Sequence, residues 1–302
     1  MSRSLPRGDW WISAVVPLAI LHAAVIVTLQ SRPGAFAVIL WRWGPPLLVA
    51  ANAVLLGGAL AAAFLNQQTW NWKRAGGLAV LSLLIAAMSA YRTFPSSHDA
   101  SPSAIDFRLP LDGWVRVAWG GPTAAVNYHV SAPAERWGYD LLVTAGGATY
   151  RGDGRALTDY ISYDRPVHAP AAGRVVDVHD GDPDAPPRQP DPERGGGNRI
   201  VLEVAAGQYL FVAHLEAGTI RVSRGQHVRQ GEVIANVGNS GNSSEPHVHL
   251  HLQDTPMTGA GEGIPFYFSN YVAAAGGAPV ARGMPRGGLH RGRYVGDVIR
   301  NQ

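Results

Sequence analysis

The 302-residue chain has no cysteine. That excludes disulfides and thiolate metal sites, but it names no compartment. Charge is missing just as completely from three stretches. Residues 10–31, 43–72 and 75–91 contain no Asp, Glu, Lys or Arg. About 20 apolar residues cross a hydrocarbon core of roughly 30 Å. The expectation is three transmembrane spans, at about 10–30, 44–65 and 75–91. A buried helical hairpin of a soluble protein is disfavoured, because these runs carry no polar face. A cleaved leader is the other alternative for the first run, with Ala35-Phe36-Ala37 resembling a cleavage site. The run is long for a leader and two more follow, so an uncleaved anchor is expected.

The net charge of +3 divides unevenly. Before Arg92 lie six basic residues (Arg3, Arg7, Arg32, Arg42, Lys73, Arg74) and one acid, Asp9, so the membrane part carries +5 and the remainder −2. The basic balance belongs to membrane flanks and gives no argument for nucleic acid. Arg3 and Arg7 precede the first span, and Lys73 and Arg74 separate the second from the third. This bias puts the N-terminus in the cytoplasm and the C-terminal domain outside the inner membrane, in the periplasm or its equivalent. Arg42 between Trp41 and Trp43 reads as an interfacial anchor, and His22 packs within the first span or points to an interface.

Residues 92–104 read as a linker. From Ile105 to the end, short apolar runs are broken by Gly, Pro, Asn and Asp, the pattern of an all-β domain spanning 105–302. Candidate strands are 114–119, 124–130, 138–144, 166–168, 173–179, 199–205, 208–215, 219–222, 232–237 and 247–253. A further strand is possible at 264–268, residues 275–293 read as irregular, and no helix with clear caps is apparent. The Pro-rich loop Asp180–Gly197 reads either as disordered or as a flap beside a cleft.

One stretch organises the rest: Gly238-Asn239-Ser240-Gly241-Asn242-Ser243-Ser244-Glu245-Pro246-His247-Val248-His249-Leu250-His251. It starts as a small-residue turn and ends in period-two alternation. His247, His249 and His251 share one face of a strand, and Val248 and Leu250 face a core. Neutral imidazole is a common zinc ligand. For His-x-His alone, a solvated strand face is the simpler reading.

The upstream motifs change that. Gly138-Tyr139-Asp140, Pro166-Val167-His168-Ala169-Pro170-Ala171-Ala172-Gly173, Gly197-Asn198, Ala213-His214-Leu215, Gly231-Glu232-Val233-Ile234 and the histidine stretch occur in one order. Over residues 125–254 this set resembles the lysostaphin-type, or LytM-like, zinc peptidases of bacterial cell walls. The resemblance implies a small antiparallel sheet with a groove (the duplicated-hybrid-motif fold) and peptidoglycan as substrate. It implies zinc bound by Asp140 and His249, with His247 as general base. It implies His214 as the group steadying negative charge on the scissile carbonyl. A catalytic zinc takes three protein ligands and keeps a position open for water.

The chain departs from the family pattern His-x-Gly-x-Asp by placing Arg136 where the first ligand belongs. A guanidinium stays protonated and cannot bind zinc. If 124–130 and the strand through Asp140 form a hairpin about Ser131–Ala134, His129 lies opposite Arg136 with Cβ atoms about 5 Å apart. His129 is then the candidate third ligand, the alternative being a hairpin histidine of no consequence. His251 reads as a hydrogen-bond partner of a ligand or as edge packing, Asn198 as a turn residue or a substrate contact, and Ser243 and Ser244 as turn residues.

The expected protein is thus a membrane-anchored zinc metallopeptidase acting on peptidoglycan. A ligand-depleted, non-catalytic wall-binding or regulatory module is the alternative. A biotin- or lipoyl-type carrier is set aside, because the single lysine, Lys73, lies in the membrane part.

Overall fold

The computed structural model describes residues 9–67, 69–274, 276 and 279–302. Arg3 and Arg7, used above for orientation, lie outside them, as do Ala275, Gly277 and Ala278 of the 275–293 stretch. The chain divides into two compact units, 1–100 and 101–302.

In the first unit, three helices among the described residues are long and apolar enough to cross a membrane: Ile12–Ser31, Ala35–Leu65 and Trp72–Ala90. The second begins well before the expected span. Its backbone continues through Arg42 and through Pro45 and Pro46. The charge boundary that marked residue 43 is therefore not a helix boundary, since a helix carries a tryptophan-flanked arginine without breaking. Arg42 lies over the Trp43 ring at 5.9 Å. Many outward side chains are apolar, Val54, Phe64 and Trp72 among them. His22 is buried and makes a polar contact between helices: Asn52 Nδ2 donates to its Nε2 at 2.9 Å, and its Nδ1 lies 2.7 Å from the Leu18 carbonyl oxygen. Such contacts register apolar helices where burial supplies no directional force. Arg74 donates to both carboxylate oxygens of Asp9, at 2.8 and 3.0 Å.

The second unit is built on one large sheet. From one edge its strands run Asp106–Phe107, Tyr267–Ala273, Val298–Asn301, Val115–Trp119, Tyr139–Val143, Val248–Gln253, Gln208–Leu215, Asn198–Ala205, Gly173–His179 and His227–Val228. Pairing is antiparallel except between Asp106–Phe107 and Tyr267–Ala273. Alternation along the strands places the core on one face. Tyr139, Leu141, Val212, Val248, Leu250 and Leu252 lie fully buried there.

Several expected elements differ. Residues 124–130 form no strand; turns lead into a one-turn 3-10 helix, Tyr128–Ser131, capped by Asn127. The Asn127 side chain accepts from the His129 N–H, and that local bond competes with sheet pairing. The hairpin expected to set His129 opposite Arg136 is therefore absent. Residues 219–222 are loop, while the 275–293 stretch contributes a strand at Val280–Gly283 and a two-residue strand at Leu289–His290. The Asp180–Gly197 loop is laid against the Gly238–Ser244 turn. The N–H groups of Ala185, Arg188 and Asp191 donate to the carbonyls of Asn239, Ser244 and Gly241, and Asn242 donates back to Gly195. Gly241, at φ +73°, makes the approach possible, since a Cβ there would collide with the Gly195 oxygen.

Candidate metal centre

The strand Val248–Gln253 lies between Tyr139–Val143 and Gln208–Leu215, buried on both faces. Its register pairs His249 with Asp140. Cross-strand partners project to the same side, and His249 Nδ1 lies 2.8 Å from Asp140 Oδ1. The solvated alternative for this histidine face is excluded by its burial.

His129 arrives from the capped turn. Its Nε2 is 3.5 Å from Asp140 Oδ1. The prospective ligand atoms of His129, Asp140 and His249 all lie within 4.8 Å of one another. Gly138 makes room for both rings: a Cβ there would sit 3.1 Å from His249 Cε1 and 3.3 Å from His129 Cγ. Arg136, in the place of the family's first ligand, is buried; its Nη2 donates to the Pro122 carbonyl and its guanidinium lies 4.1 Å from the Trp137 ring centre.

The surrounding hydrogen bonds set which ring nitrogens carry protons. Gln253 Nε2 faces two carbonyls, Thr255 O at 2.6 Å and Met257 O at 2.9 Å, so its NH2 must donate there and its Oε1 faces His251 Nε2 at 3.2 Å. His251 Nε2 therefore carries the hydrogen. In a neutral ring its Nδ1 then accepts from His249 Nε2, 2.9 Å away, and His249 Nδ1 is left with a bare lone pair. On the other side, Asn127 Nδ2 donates to the carbonyls of Gly121 and Gly138, and its Oδ1 accepts from His129 Nδ1 at 2.9 Å. That leaves a lone pair on His129 Nε2. Two lone pairs thus point at a buried carboxylate, an arrangement that a cation reconciles. Two imidazoles and a carboxylate are a donor set suited to zinc, so the residues fit the metal the resemblance implies. A second set, Glu135 with His249 and His251, lies within the same reach. It shares His249, and its other two members are a half-buried glutamate and a ring already hydrogen-bonded to His249.

Burial favours neutral rings at His129 and His251, while Asp140 stays ionised. Burial, against the pull of Asp140, pushes His129 down to about 3. Burial and the neighbouring His249 push His251 well below its ordinary value. Burial opposes an ionised Asp140, yet its histidine neighbours hold the carboxyl well below the usual carboxylate range.

His247 and His214 face each other beside this set, ring centres 4.7 Å apart, and His214 is 5.9 Å from His249. Each has its Nδ1 pinned to a carbonyl: His247 to Glu245 O at 2.8 Å, His214 to Ser240 O at 2.8 Å. A carbonyl only accepts, so both rings present Nε2 to the site. His247 Nε2 lies 3.5 Å from Asp140 Oδ1. Burial works against the charge on His247, but Asp140 outweighs it and the pKa is raised. Burial and His247 hold His214 well below its ordinary value. His214 sits at φ +62°, a left-handed backbone that costs on the order of 1 kcal/mol in a residue with a side chain.

All five residues singled out from the sequence therefore converge. Asn198 does not join them: it is buried, donating to Asp182 O and Leu215 O. Ser243 is more than a turn residue, since its Oγ lies 3.1 Å from His247 Nδ1. Sequence reasoning missed Asn127, Gln253 and Tyr294. Gln253 continues the period-two series from His249 and was legible in it. Asn127 had an N-cap signal masked by the strand expectation. Tyr294, whose hydroxyl donates to Glu245 at 2.7 Å, comes from a stretch with no pattern.

A buried, histidine-rich centre on a β-sheet defines a candidate metallohydrolase. Residues 158–259 match the model of peptidase family M23. The match includes His214, His247 and His249; His129 and Asp140 lie upstream of it. No curated protein matches the chain. Among solved structures, a variant catalytic domain of the prophage-encoded M23 protein EnpA from Enterococcus faecalis is 19% identical, over 52% of this chain and 93% of that one, with a TM-score of 0.34. The catalytic domain of lysostaphin from Staphylococcus simulans is 18% identical, over 49% and 85%, with a TM-score of 0.31. A zinc-containing peptidase from Vibrio cholerae is 22% identical over 49% of this chain but only 36% of that one, with a TM-score of 0.32. With scores this low, the likeness to the family rests on the match over residues 158–259.

Proposed function

We propose that the protein is a membrane-anchored zinc metallopeptidase that hydrolyses peptide bonds of peptidoglycan on the outer side of the cytoplasmic membrane. The observation that carries this is the convergence of His129 Nε2, His249 Nδ1 and the Asp140 carboxylate, with the lone pairs fixed by Asn127 and by the His251–Gln253 relay. Zinc held there would supply Lewis acidity to a peptide carbonyl and make water nucleophilic near neutral pH.

The chain's own residues account for the proton movements. Neutral His247 accepts the proton of the attacking water at Nε2, its ring oriented by Glu245 O and Ser243 Oγ. His214 can donate to a developing oxyanion from Nε2 only in its protonated form, because Nδ1–H is committed to Ser240 O. Since burial keeps His214 neutral, that role needs a proton delivered to Nε2, and the one that neighbouring His247 takes from the attacking water is the nearest source. Three apolar helices would anchor the domain on the side where wall substrate lies.

The test is metal analysis of the purified full-length protein in detergent, paired with a wall-digestion assay. About one zinc per chain, with digestion abolished by His247→Ala, supports the reading. A zinc-free protein that binds wall without digesting it makes the domain a non-catalytic binding module.

A further inference from the structure

The cavity beside the metal centre, about 360 Å³, is lined by Asp140 and His247 and also by Ser244, Glu245 and Tyr294. The last three residues also line an adjoining cavity of about 860 Å³, so the two form one continuous groove leading away from the centre. The larger part has an unusual charge content. Arg116, Arg188 and Arg293 reach it from three separate places: the strand Val115–Trp119, the Asp180–Gly197 loop and the strand Arg293–Tyr294. Among the described residues none of the three has a carboxylate partner.

The one acid in the wall, Glu245, is hydrogen-bonded to two neutral hydroxyls of the same groove and pairs with none of the three arginines, so the lining keeps an excess of two positive charges. Its Oε1 accepts from Tyr294 and its Oε2 lies 3.4 Å from Thr149 Oγ1. Arg116 is held in place by a neutral group, its Nη1 donating to the Gly296 carbonyl at 3.1 Å, which fixes the guanidinium without cancelling its charge. Tyr150 and Tyr160, ring centres 5.4 Å apart, form an aromatic wall that lowers the local dielectric and strengthens any ion pair made against it.

We infer that this groove holds the peptide substrate by a side-chain carboxylate, and that the substrate class is an acidic peptide with that carboxylate to one side of the scissile bond. The inference rests on the peptidase reading for the word substrate, but not for the binding itself. Guanidinium groups favour carboxylates because a planar fork matches two oxygens. Three such groups against a single carboxylate, Glu245, that pairs with none of them make a neutral peptide the poorer ligand.

The probe is a set of three acetylated tetrapeptides titrated into the full-length, zinc-stripped protein in detergent, where nothing is turned over. The first is Ala-Glu-Ala-Ala amide, the second Ala-Gln-Ala-Ala amide, the third Ala-Gln-Ala-Ala with a free C-terminus. The glutamate peptide is expected to bind about tenfold more tightly than the neutral one, and the preference to shrink as salt is raised. Arg293→Gln, an exposed position, is expected to remove most of the preference, and Arg116→Gln with Arg188→Gln the rest. Equal binding of the glutamate and neutral peptides, no binding of any, or a preference that survives all three substitutions overturns the inference. A free-acid peptide that alone binds well reassigns the groove to chain ends and also overturns it. Wall digestion by unmodified protein together with carboxylate-blind binding sinks the groove and leaves the peptidase reading standing. Carboxylate-selective binding without zinc or digestion does the reverse.

Discussion

His249 and His129 approach Asp140 from two unlike kinds of backbone. His249 belongs to a central strand paired on both sides, and its direction follows from the register of that six-residue strand. His129 belongs to a single 3-10 turn whose geometry depends on one side chain, Asn127, bonded both to its N–H and to its ring. One ligand is placed by regular structure and the other by a local cap. A substitution on the first side meets a rigid frame; on the second it meets the device that builds the frame.

The largest test asks whether the two are equal as ligands. His249→Ala, Asp140→Asn and His129→Ala are each expected to abolish stoichiometric zinc and to lower wall digestion by roughly 10³-fold or more. Metal content by atomic absorption and digestion rates check this. If His129→Ala keeps its zinc while the other two lose it, the comparison breaks and His129 is a neighbour rather than a ligand. Arg136→Ala is expected to leave zinc content unchanged, since the guanidinium bonds Pro122 and stacks on Trp137.

The next test uses protons in place of substitutions. In the zinc-stripped protein His129, His214 and His251 are buried with pKa values below the ordinary 6.5, His129 at about 3. The unfolded chain takes up protons at these positions as pH falls through about 6.5, while the folded chain does not. Stability is therefore lost on acidification from about pH 6.5 downward, by about 1.4 kcal/mol per pH unit for each histidine. His247, whose pKa is raised, acts in the opposite sense: its contribution is present below 6.5 and lost as pH rises through the folded value. Asp140, held below its ordinary 3.8, gives stability above that value and loses it only at lower pH. The net expectation, checked by denaturant titration of the chelated protein, is a marked loss between about pH 7.5 and about pH 5. Stability that is flat or rises over that range means these rings are solvated, and the buried centre is wrong.

The same contrast explains what the sequence made legible. The histidine strand, its partners and the spans at both ends of the helical unit were readable because each repeats a pattern: period two in the strands, an unbroken apolar run in the helices. The site face of Val248–Gln253 followed from that alternation alone. Asp140 and His214 were legible only through the resemblance, since nothing local couples either to the histidine strand. His129 was picked for the right neighbourhood by the wrong route. The strand expected at 124–130 does not form, because an Asn cap diverts residues 127–131 into a turn. The second span was expected to start only after Arg42, because the charge-free stretch starts there, whereas the helix runs through that arginine from Ala35. Arg116, Arg188 and Arg293 were unreadable as a group, because three unrelated elements bring them to one groove.

The finest test compares the two hydrogen-bond partners that orient the ligands. Loss of such a partner weakens metal binding by about 10- to 100-fold. Gln253→Leu should fall in that range, and it also costs the metal-free protein the two bonds that Gln253 Nε2 donates to the Thr255 and Met257 carbonyls. Asn127→Ala should weaken zinc by a similar factor. It should also destabilise the metal-free protein by about 1 kcal/mol through the lost cap, since the same oxygen serves both the His129 N–H and its ring. Asn127→Asp keeps an acceptor for both bonds and gives up the two Nδ2 donations to Gly121 and Gly138. It therefore separates the roles: the orientation of His129 survives, and the cost appears in stability. Competition against a chelator gives the affinities and denaturant titration the stabilities. If Asn127→Ala leaves the stability of the metal-free protein unchanged, the capped turn is held by its neighbours, and the two routes to Asp140 are equally robust.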